Sequence, residues 1–358
     1  MALVFMLYGH TVSALLAPAY QRGTWFEVWQ FQRGLTSSLF LLLAGFAFSV
    51  ATSRHWGSHQ RFSPAVVKRA RRFAFFVLLG YALHFPVARF VLLPGATDER
   101  WRAFLAVDVL QLIGVTFLLV QALVLVTRSR ARFTWTAALL AIAMVAVTHW
   151  VWDAGWARAL PPWLAAYLSP STGSLFPLFP LAAYVLFGIV LGQIYVAWGA
   201  GRLAAYANVV LLMPGVVLAA GAWAVVSLSS APWASDPWNV MPIQVAVRMG
   251  VCLVILSVVA HASQRLARLP HFFGAVAQET LLIYFLHLCI VYGSVWNSGL
   301  AQRFGASLGP TATLACVLLL LGTMPVVGWY WHWLKHARPR VAWWTRVAVT
   351  GLLVGRLL

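Results

Sequence analysis

The chain is a succession of long apolar stretches, and the loops between them are mostly too short to fold alone. Eleven stretches of about 17 to 25 mostly apolar residues follow one another between Met1 and Leu358. A helix needs about 20 apolar residues to cross a bilayer, where its backbone must satisfy its own hydrogen bonds. Because 62% of the residues are hydrophobic and only 9% are charged, a soluble domain is excluded. The sequence therefore predicts an all-α, polytopic transmembrane helix bundle.

About 10 to 11 spanning helices are expected. No internal repeat and no low-complexity linker interrupts the chain, so residues 1–358 are predicted to form one integral-membrane domain. Two loops, at 153–174 and 229–240, are rich in Trp and Pro, as in a structured lid or an interfacial aromatic belt. The predicted helices cover residues 1–20, 33–53, 69–92, 104–126, 133–152, 175–197, 204–228, 241–261, 276–297, 309–333 and 341–357.

The positive charge of the chain is distributed by loop. The formal net charge is +18, and most Lys and Arg residues fall in even-numbered loops, whereas most acids fall in odd-numbered ones. Positive loops remain in the cytoplasm during insertion, which predicts a cytoplasmic N-terminus. The charge therefore indicates orientation and contact with membrane lipids, and we expect no nucleic-acid partner. The oligomeric state is not indicated.

The cysteines and the N-terminus add two expectations. Cys252, Cys289 and Cys316 lie in apolar helix interiors without paired spacing, and no histidine motif has metal-ligand spacing. We expect neither a metal nor a permanently bound cofactor. Met1 opens directly inside an apolar run, so the natural beginning of the first helix is expected to lie upstream.

Polar side chains inside the predicted spans carry the functional information, because such residues are costly in a bilayer. His10 lies roughly 14 Å into the first helix, near the middle of the membrane. If these side chains face a common cavity, they supply a base, cations and hydrogen-bond donors. They are His10, His84, Asp108, Gln111, His149, Arg248 and His287.

Each of these residues has a structural alternative. A single histidine in a helix bundle usually bonds a neighbour for packing, which is the simpler interpretation of His84 and His149. Arg248 is close enough to a helix end to extend to the interface, or it pairs with Asp108. His10 favours a functional role, because the adjacent Gly9 lets a backbone or a ligand approach closely.

Five segments carry recognisable motifs, and they follow one another in order along nearly the whole chain. The segments are Met6 to His10, Arg33 to Phe40 with Leu43 to Phe48, Asp108 to Val115, Phe176 to Pro180 with Gly188, and Leu282 to His287. Together they resemble the membrane acyltransferases of the acyltransferase-3 type and the related heparan-alpha-glucosaminide N-acetyltransferase-like proteins.

The resemblance implies acyl transfer, and the roles of the individual residues are also implied by the resemblance alone. The acyl group, acetyl in the simplest case, would pass from cytoplasmic acyl-CoA to a hydroxyl or amine of an envelope or extracytoplasmic sugar, in a bacterial inner membrane. His10 would be the general base or a nucleophile that carries the acyl group. The implied catalytic residues are His10, His287 and Asp108; Gln111, Tyr284, Arg248, His84 and Arg33 would bind substrate; Arg54, Lys68, Arg69 and Arg72 would bind the CoA phosphates, unless they are solvated positive-inside charges.

One departure from the family keeps other functions open. Family members usually carry Asp-x-x-Arg-Gly at the start of the first helix, with the Arg eleven residues before the His; that position would precede Met1. One alternative is a proton-coupled transporter or flippase for a polar substrate, although no inverted repeat is evident. The other is a catalytically inactive structural member of the family.

Overall fold

The computed structural model describes residues 2–153, 155–228, 242–266 and 270–358. Nearly all of these residues are helical, and none of them belongs to a strand. The predicted loop at 229–240 lies outside the described residues. The other Trp-rich and Pro-rich loop, at 153–174, contains a short helix, Pro162–Leu168, between turns.

The described residues form seventeen α-helices, several of them only one or two turns long. Two π-helical segments, Tyr195–Gly199 and Ala207–Leu212, flank α10. The helices are α1 (Ala2–Leu15), α2 (Thr24–Arg54), α3 (Trp56–His59), α4 (Pro64–Leu83), α5 (Asp98–Leu105), α6 (Val109–Thr127), α7 (Arg130–Asp153), α8 (Pro162–Leu168), α9 (Leu178–Ile194), α10 (Leu203–Tyr206), α11 (Met213–Leu228), α12 (Pro242–Arg265), α13 (His271–Gln278), α14 (Thr280–Val291), α15 (Leu300–Phe304), α16 (Pro310–Ala337) and α17 (Pro339–Leu357).

Every predicted helix coincides with helical structure, which confirms the all-α polytopic architecture. Seven of the described helices are long and apolar enough to span a membrane, or eight if the bent pair α13 and α14 counts as one span. This number is below the ten to eleven expected, because α1 is short and two other helices are rich in charge. Helix α4 carries Lys68, Arg69, Arg71 and Arg72 near its start, and α17 carries Arg340, Arg346 and Arg356.

Several helix boundaries differ from the sequence-based ones; α2, for example, begins at Thr24 instead of residue 33. The first helix ends at Leu15 instead of residue 20, shortly before Pro18. Helix α4 ends at Leu83 instead of residue 92, because Pro86 lacks the amide hydrogen and restricts the residue before it. The predicted helix 276–297 is two helices, α13 and α14, which meet at an angle of 67° around Glu279.

The chain divides into two compact units. The first unit contains residues 1–33, 83–104 and 266–358, and the second contains residues 34–82 and 105–265. The boundary between Arg33 and Gly34 falls inside α2. A single domain over the whole chain stays a prediction.

The core of the first unit is formed by α1, α13, α14 and α16. Leu7 and Leu15 of α1 pack with Ile283 of α14 and with Leu320 and Met324 of α16. These side chains are almost completely buried, and Gly328 lets α16 approach Ile283 closely. Helices α1 and α14 are therefore held side by side by apolar contact, which sets the geometry of the polar groups between them.

The core of the second unit depends on close helix crossings. A Cβ atom at Gly188 of α9 would overlap the backbone oxygen of Leu42 in α2, and one at Gly45 would overlap that of Val185. Gln193 adds hydrogen bonds to Ser49 and Ser53 of α2, at 2.9 and 3.1 Å. The small-residue pair Gly188 and Gly192 therefore serves helix packing, as its spacing predicts.

Candidate active site

Two histidines from opposite ends of the chain are hydrogen bonded to each other in the first unit. His10 Nδ1 lies 2.9 Å from His287 Nε2, and the two rings are nearly parallel, with centroids 5.1 Å apart. His287 is fully buried, whereas His10 is partly exposed. The sequence analysis predicted both residues as catalytic, and the structure brings them together. Two titratable rings in contact inside a membrane helix bundle are typical of a functional site.

Helix α14 fixes the inner histidine of this pair. His287 Nδ1 lies 2.9 Å from the carbonyl oxygen of Ile283, one helical turn earlier. The ring of Tyr284 packs edge-on against the His287 ring with centroids 5.5 Å apart, and Tyr284 is 6% exposed. Tyr284, a predicted substrate-binding residue, therefore lies directly beside the histidine pair.

Tyr292, which the sequence analysis did not select, contacts the outer histidine. Its ring lies edge-on to His10 with centroids 5.7 Å apart, and its hydroxyl donates to the His10 carbonyl oxygen at 3.5 Å. It follows His287 by five residues, just past the end of α14. In the sequence, Tyr292 could have been identified only by its closeness to the segment Leu282 to His287.

Arg33 supplies a cation close to His10. Its guanidinium donates to Ser13 Oγ at 2.7 Å and lies over the Trp29 ring, 5.3 Å from the centroid. The aliphatic part of Arg33 packs over Gly9, where an added Cβ would lie 3.7 Å from Arg33 Cγ. Arg33 also interacts electrostatically with Tyr292. This is an ordinary van der Waals distance, so the Arg33 side chain would also accommodate a methyl group at position 9, and a close approach that needs glycine stays a prediction.

His84 does not lie inside a spanning helix. It directly follows Leu83, the last residue of α4, and its side chain is exposed. The expectation that His84 lies within the third helix is wrong, because Pro86 ends that helix early. A role for His84 in substrate binding stays a prediction.

Asp108 and Gln111 belong to the second unit, where they form the start of α6. The Asp108 carboxylate accepts from the Val109 amide at 2.7 Å, and Gln111 Oε1 accepts from the Asp108 amide at 3.3 Å. This reciprocal arrangement is a capping box, which satisfies backbone amides that a helix start leaves unpaired. The Gln111 amide is fully buried against Gly80, whose missing side chain makes room for it. Capping accounts for the Asp108 carboxylate and for Gln111 Oε1, whereas the buried Gln111 Nε2 has no hydrogen-bond partner among the described residues. The catalytic and substrate-binding roles of the two residues stay predictions.

Arg248 is buried in the second unit, on α12. It is 9% exposed, so it does not extend to the membrane surface as one alternative proposed. Its guanidinium packs beside Gly34, where an added Cβ would lie 3.7 Å from Arg248 Nε. It interacts electrostatically with the hydroxyl of Tyr184 and the thiol of Cys252. Substrate binding by Arg248 stays a prediction.

The four predicted CoA-binding cations differ in exposure. Arg69 is half-buried; it donates to Thr52 Oγ1 at 2.8 Å and to Gln121 Oε1 at 3.4 Å. Arg54, Lys68 and Arg72 are exposed. Lys68 also lines an open pocket of about 640 Å³ whose other walls are Phe62, Ser63, Pro64, Val67 and Arg71. The exposed three suit an anionic ligand, whereas Arg69 joins helices.

Burial of His59 accompanies this basic region. Its burial, and to a lesser degree the charges of Arg69 and His55, lower the pKa of the His59 imidazole below its ordinary value. The carbonyl oxygen of His59 accepts from Gln121 Nε2 at 3.3 Å. Protonation of His59, which would add a positive charge to this basic region, is therefore unfavourable.

The sequence analysis missed a buried charge cluster at the bend between α13 and α14. Glu279 is 5% exposed and pairs with Lys335 Nζ and, at 3.3 Å, with His332 Nδ1, both on α16. The ring of His336 packs against that of His332. In the sequence, this cluster was indicated only by Glu279 itself, a single acid within an apolar segment. Among the described residues, no group of three or more His, Cys, Asp or Glu side chains is arranged to hold a metal ion.

The fold and the histidine pair define an integral membrane helix bundle with a titratable dyad inside it. The catalytic-domain family of heparan-alpha-glucosaminide N-acetyltransferase matches residues 1–226. The chain belongs to this family, as the resemblance predicted, and the family implies an acetyltransferase. The matched range includes His10 and Arg33, whereas His287 lies beyond it. Comparison with curated proteins and with solved structures found no match.

Proposed function

We propose that the protein transfers an acetyl group from cytoplasmic acetyl-CoA to the amine of a glucosamine-type sugar on the outer side of a bacterial inner membrane. The observation that carries this proposal is the 2.9 Å bond between the His10 and His287 rings, with the aliphatic part of Arg33 packed over Gly9 and its guanidinium bonded to Ser13 on the same helix as His10. The choice of an acetyl group and of an amino sugar in this proposal comes from the family to which the chain belongs. A hydroxyl acceptor would need the same base.

In the proposed step, His10 acts as the general base. Its ring takes a proton from the acceptor nitrogen while that nitrogen attacks the thioester carbonyl carbon of acetyl-CoA. A carbon–nitrogen bond forms, the carbon–sulfur bond breaks, and the proton on His10 passes to the departing CoA sulfur. The imidazole returns to its neutral form, so the cycle needs neither a metal nor a redox partner.

The neighbours of His10 have matching roles. The tetrahedral intermediate carries a negative oxygen, and donors aimed at such an oxygen are the largest single contribution in many acyl transfers. The guanidinium of Arg33 and the hydroxyl of Tyr284 are the groups of the first unit that suit this task. In the second unit, Lys68 and the exposed Arg54 and Arg72 carry positive charge that would suit the CoA phosphates.

The test is turnover by the full chain in lipid nanodiscs. Release of free CoA thiol and formation of N-acetylglucosamine are followed with acetyl-CoA and glucosamine for wild type, His10→Ala and His149→Ala. We expect His10→Ala to lower kcat by about 10²-fold to 10⁴-fold, the usual contribution of a positioned base. His149→Ala changes an exposed histidine of α7 and should keep the wild-type rate. Acetylation at equal rates by wild type and His10→Ala would contradict the proposal.

A second function is favoured by one observation, the 67° break between α13 and α14 with the buried Glu279 at its corner. Broken membrane helices with buried ionisable groups are typical of secondary transporters. A proton-coupled carrier would move a labelled amino sugar into proteoliposomes under a pH gradient without acetyl-CoA. Flux that Glu279→Gln abolishes, in a protein without acetyl transfer, would establish this alternative.

A further inference from the structure

The hydrogen bonds of the histidine pair have only one direction when both rings are neutral. A carbonyl oxygen can only accept, so His287 Nδ1, at 2.9 Å from the Ile283 oxygen, carries the hydrogen of its ring. His287 Nε2 is then an acceptor. His10 Nδ1, at 2.9 Å from that nitrogen, must be the donor. The remaining ring nitrogen of His10, Nε2, therefore has the lone pair.

The same geometry favours a fixed orientation of His287 over a proton relay through it. A relay requires an acceptor that can take up and release a proton beyond the second ring. His287 Nδ1 instead meets a backbone carbonyl within its own helix, and His287 is fully buried. Edge-on contact with Tyr284 further restricts rotation of the His287 ring. His287 is thus built to stay in one orientation and one tautomer.

We propose that His287 is a positioning residue, which fixes His10 in the tautomer with hydrogen on Nδ1 and so makes His10 Nε2 the atom that removes the acceptor proton. This inference rests on the proposed acetyl transfer. After proton uptake at Nε2, the His10 Nδ1–H bond to His287 Nε2 becomes charge-assisted and therefore stronger. His287 then holds the protonated ring in place until the proton passes to the CoA sulfur.

Two substitutions at one position separate positioning from packing. The amide of a glutamine ends near the place of a histidine Nε2, so His287→Gln offers His10 an acceptor oxygen. The amide of an asparagine ends near the place of Nδ1, so His287→Asn can reach the Ile283 carbonyl but not His10. Both variants bury an amide of similar polarity. A merely structural role would make the two variants similar.

Two readouts are measured on the full chain in lipid bilayers. The first is kcat and KM for acetyl-CoA and glucosamine. The second is independent of activity: nitrogen NMR of histidine-labelled protein shows which ring nitrogen of His10 is protonated, and the His10→Gln spectrum identifies the signals. We expect hydrogen on His10 Nδ1 in wild type and in His287→Gln, with kcat of the Gln variant within about tenfold of wild type.

In His287→Asn we expect a mixture of His10 tautomers, with kcat lower by about 10²-fold or more and KM nearly unchanged. The loss is smaller than the roughly 10⁴-fold cost of a wrong histidine tautomer in serine hydrolases, because some molecules keep the correct form. Hydrogen on His10 Nε2 in wild type, or equal kcat for the Gln and Asn variants, would overturn the inference. An inactive wild type would overturn the proposed function, and the NMR result would still decide which tautomer His287 imposes.

Discussion

Two helix pairs, one in each compact unit, are joined in opposite ways. In the first unit, α1 and α14 carry His10 and His287, whose rings bond across the space between the helices. In the second unit, α2 and α9 cross at Gly45 and Gly188 with backbone against backbone. Where two helices cross with glycine against backbone, no space is left for a substrate. The paired histidine rings, in contrast, provide a group that can exchange protons. The function of a polar residue in a membrane protein therefore depends on the group to which it is hydrogen bonded.

The strongest test of this comparison replaces a glycine at the α2 and α9 crossing. Gly188→Ala places a methyl group on the Leu42 backbone oxygen, so the helices must separate and lose their close contact. We expect destabilisation by about 3 kcal/mol or more, seen as a lower melting temperature and poor recovery of folded protein from detergent. Gly322→Ala is the matched control, since its methyl group would meet no atom within 4 Å. Equal melting temperatures for the two variants would refute the close crossing.

Adjacent basic residues of α4 provide the next test. Lys68→Met removes an exposed charge at the pocket and should raise the KM for acetyl-CoA by about threefold to tenfold, or about 0.7 to 1.4 kcal/mol, without a change in melting temperature. Arg69→Met removes the bonds to Thr52 and Gln121 and should lower the melting temperature instead. The effect of Lys68→Met should diminish at high salt. A reversed pattern would make Arg69 the ligand-binding residue.

Substitutions of Asp108 test whether this residue caps α6 or acts in catalysis, and the expected change in stability is smaller. Asparagine caps a helix about as well as aspartate, so Asp108→Asn should keep both stability and acetyl transfer, whereas Asp108→Ala should lose about 1 kcal/mol of stability. Thermal unfolding and turnover are measured on both variants. If Asp108→Asn keeps its melting temperature but loses turnover, the carboxylate has the catalytic role that the sequence predicted.

The smallest expected effect is a pH dependence of stability. Because burial lowers the pKa of His59, the unfolded chain binds this proton more readily than the folded protein does. The contribution of neutral His59 to the free energy of unfolding is fully present above the ordinary histidine pKa of about 6.5. It is lost as the pH falls from there toward the lowered pKa of His59. His59→Gln should therefore reduce the fall in melting temperature between pH 7.5 and 5.5. An unchanged fall in the melting temperature of His59→Gln would contradict this prediction.

The sequence predicts the helices well because length and hydropathy are local properties. It also identifies His10 and His287 separately, since a histidine in an apolar span is conspicuous. Their bond joins residues 277 positions apart, and no periodicity reports such a contact. The capping role of Asp108 was readable, because Asp-x-x-Gln before an apolar run is the pattern of a capping box.

Other features depend on packing and were not accessible from the sequence. Glu279 lies at the bend between α13 and α14, and its ion-pair partners belong to α16, a helix that begins some 30 residues later. The burial of Arg69 and the exposure of Lys68 distinguish two neighbouring cations that have the same local pattern. Only the early end of α4 had a clear local cause, Pro86, which the length of the apolar run concealed.

The His10 and His287 contact also determines which segment can be produced as a working protein. Helix α1 packs on α14 and α16, and its buried core neighbours, which lie between Val276 and Met324, follow the family-matched range of residues 1–226. An expression plasmid trimmed to that range would encode His10 and Arg33 but would deprive α1 of its apolar neighbours. Such a shortened polypeptide is a poor choice for assays, and negative results obtained with it would not reflect the chemistry of the full chain.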